Sequence, residues 1–107
     1  MTPDDSTLGG YQTVHGRPPA FEGSDGRAYS AGLFSDDDPD AIGRYGASLL
    51  FIRWSADQQP DGHLESDYIA LATDAATAEA EVGRMTLEEV KAMLDRLIVR
   101  RDAGVEA

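Results

Sequence analysis

Four large apolar residues stand together at Leu49-Leu50-Phe51-Ile52, with Trp54 two positions on, and no other stretch of the chain is as continuously apolar. A strand with one face in water alternates apolar with polar residues, so the unbroken run predicts a central strand over Ala47–Ser55 that is covered on both faces. Leu50, Ile52 and Trp54 share one side of that strand and Leu49, Phe51 and Arg53 the other. The rest of the chain must then supply strands for both edges and cover for both faces.

The flanking sequence offers the strands. Ala20-Phe21-Glu22 precedes Gly23-Ser24-Asp25-Gly26, whose Asp-Gly pair suits the positive φ of a tight hairpin. Arg27–Ser35 alternates and predicts a returning strand whose buried set is Tyr29, Ala31 and Leu33. Asp36-Asp37-Asp38-Pro39-Asp40 breaks it, because adjacent carboxylates repel and Pro39 lacks a ladder donor, so the segment to Gly46 reads as a loop. After the central strand, Asp57–Gly62 reads as a second hairpin loop, and His63–Thr73 as a strand that is polar at its start and apolar at its end.

Helix signals follow. Thr73 or Asp74 can cap Ala75–Val82, which Gly83 can end. Thr86-Leu87-Glu88-Glu89 is a capping box, and Leu87, Val90, Leu94 and Leu97 then recur at helical spacing with Met93 and Ile98 beside them. Arg96, Arg100 and Arg101 near the end complement the helix dipole, and Gly104 offers a stop.

Strands joined by hairpins and then two helices predict an α+β fold: an antiparallel sheet of three or four strands in a hairpin meander, followed by a short helix and a longer C-terminal amphipathic helix packed on one sheet face. Residues 20–104 form the single small domain. Residues 1–19, with Gly9, Gly10, Gly16, Pro18 and Pro19, read as a flexible or clamping arm in which Tyr11 to Val14 suits an edge strand. The sheet face carrying Leu49 and Phe51 is left for the arm, the short helix or a second subunit to cover, and a homodimer is the preferred expectation.

Charge bounds the function. In 107 residues there are 20 Asp and Glu against 9 Lys and Arg, a formal charge of -11, which argues against nucleic acid as a general partner. Leu, Ile, Val and Phe together number 21 of 107, so the core is small. With no Cys there are no disulfides, thiolate metal sites or cysteine nucleophiles, and the cytoplasm is the expected compartment. The first ten residues do not make a secretory leader, and no run is long enough to span a membrane.

Few residues carry a chemical signal. Asp36, Asp38 and Asp40 begin like a calcium loop, but the sixth position is Ala41 and the twelfth Ala47, where Gly and a bidentate Glu belong. His63, Glu65 and Asp67 alternate on a strand and could bind a divalent metal, with His15 brought in by the arm and the Asp36–Asp40 loop as a lid, although any polar strand end produces such a triplet. No nucleophile elbow and no phosphate loop is present. Arg53 and Trp54, with Tyr45 and Tyr68 nearby, could form a small aromatic pocket, the simpler reading being that Trp54 is core.

No cofactor is expected. Two functions follow. In the first, Leu49, Phe51, Arg53 and Trp54 belong to an interface of a non-enzymatic interaction or regulatory module, whose acidic surface steers a basic protein partner as small acidic immunity proteins, antitoxins and nucleic-acid mimics do. In the second, the chain is a small metal- or ligand-binding protein or enzyme with its site at His63, Glu65 and Asp67.

Overall fold

A computed structural model describes residues 5–104. Its elements are α1 (Leu8–His15), β1 (Ala20–Glu22), β2 (Ala28–Ser35), β3 (Tyr45–Trp54), β4 (Pro60–Glu65), β5 (Ala70–Ala72), α2 (Ala75–Gly83) and α3 (Leu87–Asp102). The fold is α+β. All strand pairs are antiparallel, in the order β1-β2-β3-β4, and β5 lies beside β3 beyond β4. Among the described residues no helix is long and apolar enough to cross a membrane.

The Leu49–Ile52 run does form the centre of the sheet, with β2 on one edge and β4 and β5 on the other. The single strand expected over His63–Thr73 is two. Ser66 divides them: its hydroxyl accepts from the Leu49 amide at 2.9 Å and donates to the Asp67 carbonyl at 2.8 Å. The Ser66 and Ile69 amides then bond the carbonyls of Leu49 and Ala47, so the chain spends one residue more than β3 does and bulges at Asp67-Tyr68.

Cross-strand partners project to the same face, so the register assigns the two sides of the sheet. Tyr29 lies opposite Arg53, Ala31 opposite Phe51, Leu33 opposite Leu49, and Ala47 opposite Ala70. Tyr29, Ala31, Ala47, Leu49 and Phe51 are wholly buried, and they meet Val82 of α2 and Val90, Leu94 and Ile98 of α3 in one core. The helices therefore cover the side that carries Leu49 and Phe51.

That overturns part of the interface expectation. Leu49 and Phe51 are 0% exposed beneath the helices and cannot meet a second chain, while Arg53, at the margin of the same side, is held by Asp61. Of the four residues named, Trp54 alone belongs to the opposite side.

The N-terminal segment is helical where an edge strand had been expected for Tyr11 to Val14. Thr7 caps α1, its hydroxyl accepting from the Gly10 amide at 3.1 Å, and Gly16 ends it in the left-handed conformation at φ 67°. Two glycines and a Thr-Val pair make poor helix, so packing must hold it. Leu8 is wholly buried, its amide bonds the Met85 carbonyl at 2.9 Å, and Leu87 returns a bond to Ser6 at 2.9 Å. A Cβ on Gly9 would come within 3.2 Å of the Gly83 carbonyl oxygen, so α1 crosses α2 at a contact only glycine allows without displacement. Residues 1–4 of the expected arm lie outside the described residues.

The capping box is present as read, with the Glu89 amide donating to the Thr86 hydroxyl at 3.1 Å and the Thr86 amide to the Glu89 carboxylate at 2.9 Å. Asp74 caps α2, accepting from the Thr77 amide at 2.7 Å.

Candidate functional site

The side of the sheet away from the helices is built from the alternate residues of β2, β3 and β4. Ser30 and Phe34 of β2 lie opposite Ile52 and Ser48 of β3, and Leu50 and Ile52 lie opposite Glu65 and His63 of β4. Leu71 of β5 stands opposite Gly46 on the same side. The Tyr68 ring also lies there, because a Cβ on Gly46 would fall 2.6 Å from its carbons. Glycine at 46 is what lets the ring lie close against the strand.

The molecule measures 41 × 39 × 22 Å, and its least dimension holds one sheet and one layer of helices. Consequently Leu50, Ile52 and Trp54 stay half-buried, and Phe34, Tyr68 and Leu71 are 40%, 54% and 41% exposed. Trp54 is oriented by its indole N–H, which donates to the Ser30 hydroxyl at 2.9 Å. Ser48, in the same row, is 1% exposed, and its hydroxyl finds no partner among the described residues.

An acidic loop adjoins one end of this apolar side. Asp40 organises the loop: its carboxylate accepts from the Ile42 and Arg44 amides at 3.0 and 2.8 Å and from the Arg44 guanidinium at 2.9 Å, while Gly43 turns at φ 83°. The Arg44 amide is the largest of the influences that hold the Asp40 carboxyl below the usual carboxylate range. Asp36, Asp37 and Asp38 accept no hydrogen bond at their carboxylates and form no ion pair among the described residues. These three line a hollow of about 530 Å³ with Phe34, and Asp36 and Asp38 line a second of about 170 Å³ with Tyr68 and Leu71.

The residues expected to hold a metal are not assembled. His63 and Glu65 project to the uncovered side, but the strand ends at Glu65, and Asp67 is carried round by the bulge to lie 3.9 Å from Arg100 of α3, in the helix layer. The alternation that united them ends where β4 ends. His15 is on α1, 3.1 Å from Asp5 and stacked at 4.2 Å on Tyr11. Among the described residues no group of three His, Asp or Glu is placed to hold a metal ion. Nor is there a pocket of Trp54 with Tyr45 and Tyr68, because Trp54 and the Tyr45–Gly46 end occupy opposite ends of β3 and Tyr68 lies at the second.

A further hollow, of about 170 Å³, opens between Tyr29, Arg53, His63 and Arg101. Its two guanidinium groups are already spent: Arg53 donates to Asp61 at 2.8 Å, and Arg101 donates to Asp25 and Tyr29, each at 3.0 Å. This cluster ties α3 to the first hairpin and leaves no free cation for an anionic ligand.

Comparison of the chain with protein-family models, with curated proteins and with solved structures finds no match.

Proposed function

We propose that this protein is a non-enzymatic interaction module that docks a protein partner on the uncovered side of its sheet. The observation that carries this is the one-sided cover: helices bury Leu49 and Phe51, while Leu50, Ile52, Trp54 and Phe34 form a second apolar row that no layer of the described residues covers. Contiguous exposed apolar surface on a small domain marks a place where another chain binds. Trp and Tyr are frequent anchors of such contacts, and Trp54 is already oriented by Ser30. The excess of acidic residues adds long-range attraction for a partner of opposite charge and repels nucleic acid.

The reading is tested by replacing Ile52, on the uncovered side, or Val99, 62% exposed on α3, with a photo-crosslinking amino acid in the cells that make the protein. A discrete protein adduct at position 52 and none at 99 is the expected result. Adducts equal at the two positions, or none at 52, would overturn it.

A further inference from the structure

Resting on the interaction-module reading, the occupant of the uncovered side can be narrowed by what surrounds it. In this two-layer α+β body the bare sheet face suits a helix laid across it, because an amphipathic helix buries one apolar stripe and keeps its other faces in water. From Gly46, where the exposed Tyr68 ring and Leu71 form the surface, to the half-buried Leu50, Ile52 and Trp54, this side runs along nine residues of β3, which at about 3.3 Å per residue is roughly 27 Å. A helix of about 18 residues matches that length.

Charge then selects the chemistry of the helix. Asp36, Asp37 and Asp38 stand unpaired at one end of the row, in hollows they share with Phe34, Tyr68 and Leu71. Glu65 stands in the row beside Leu50. Arg44, the cation of the loop, is engaged by Asp40. A Lys or Arg reaching in from a partner would lay its alkyl stem on the aromatic and aliphatic walls and bring its head group to carboxylates that have no other counter-ion among the described residues. A second copy of this chain would instead bring carboxylates toward carboxylates, with -11 on each body.

We infer that the uncovered sheet face receives a basic amphipathic helix of a partner protein, its apolar stripe on Leu50, Ile52 and Trp54 and a Lys or Arg at the Asp36–Asp38 corner. Trp54 is the chain's sole tryptophan, so its emission reports on this face alone.

The full chain is titrated with an 18-residue Leu/Lys amphipathic helical peptide lacking Trp, and separately with its Leu/Glu twin. The expected result is a blue shift of Trp54 emission with the Lys peptide and none with the Glu peptide. Affinity should fall roughly tenfold or more in the combined variant Asp36→Asn, Asp37→Asn, Asp38→Asn, and as steeply in Leu50→Asp. Val99→Asp, in the helix layer, should leave it unchanged. Should Leu50→Asp disturb folding by circular dichroism, Phe34→Ser, at a residue 40% exposed, replaces it.

Equal binding of both peptides, indifference to the three Asn substitutions, or no shift with either peptide would overturn the inference. So would a doubled sedimentation mass that Leu50→Asp abolishes, since a second copy would then hold the face. A position-52 adduct obtained despite any of these results would leave the module standing and remove only its basic helical occupant.

Discussion

Asp25 joins the two layers of the molecule through hydrogen bonds that the chain spreads over more than seventy residues. Its carboxylate accepts from the Tyr29 hydroxyl at 2.7 Å and the Arg27 amide at 3.0 Å on the hairpin, and from Arg101 of α3 at 3.0 Å. Burial pushes this carboxyl up, but the Tyr29, Arg27 and Arg101 bonds together outweigh it, and it titrates below its ordinary value of 3.8. Burial and Asp25 push the Tyr29 hydroxyl the other way, above 10.0. A depressed carboxyl contributes stability that is present above the unfolded value and is lost as pH falls through the folded one. Asp25→Asn should therefore cost about 1–3 kcal/mol in urea unfolding at pH 7. It should also flatten the loss of stability below pH 4, leaving the part due to Asp40, Asp61 and Asp74, which are lowered by the Arg44 amide, by Arg53 and by the Thr77 amide. Parallel acid limbs in variant and parent would contradict this.

At the scale of the element, β3 carries two apolar rows that look alike in sequence and differ in what lies over them. Phe51 is wholly buried under the helices and Ile52, its neighbour, is half-buried on the uncovered side. Phe51→Ala should destabilise by about 3–5 kcal/mol. Ile52→Ala leaves a surface dip rather than a closed cavity, so it should cost about 1 kcal/mol. Comparable losses from the two in chemical denaturation would mean that the second side is covered after all.

The strand, its neighbours and α3 were legible, because an apolar run, an Asp-Gly turn and a capping box act over a few residues. The covered side was not, since alternation divides a strand into two sets without saying which one the helices choose. Tyr29 and Ala31 hold the missing signal: alternation makes them the buried set of β2, and pairing across to Arg53 and Phe51 transfers that burial to the Leu49 row. The α1 helix was missed because LGGYQTVH has weak intrinsic helicity and takes its stability from Leu8 and from the Gly9–Gly83 contact.

The whole molecule is defined by its charge. Exposed pairs such as Arg44–Asp40 contribute little, and the surplus of carboxylates works against compactness. Raising NaCl from about 20 mM to about 0.5 M shortens the Debye length from roughly 20 Å to roughly 4 Å. The melting temperature of the free protein should then rise by about 5 °C, the shift that about 1 kcal/mol produces in a domain of this size. A fall with salt would show that the local ion pairs outweigh the net repulsion.

Sequence alone determined the local grammar of this protein: the central strand and its β2 neighbour, the Asp-Gly hairpin between β1 and β2, where α2 and α3 start, and a net charge of -11. Those properties depend on neighbours within a turn or a strand, and on a count. Tertiary structure decided what depends on distant segments meeting. It put Leu49 and Phe51 under the helices, broke the strand at Ser66 so that Asp67 parts from His63 and Glu65, and left Leu50, Ile52 and Trp54 on the uncovered side, with carboxylates unpaired among the described residues at its Gly46 end. Each outcome turns on which surfaces the helices bury, and burial is a property of the assembled layers rather than of any one stretch of chain.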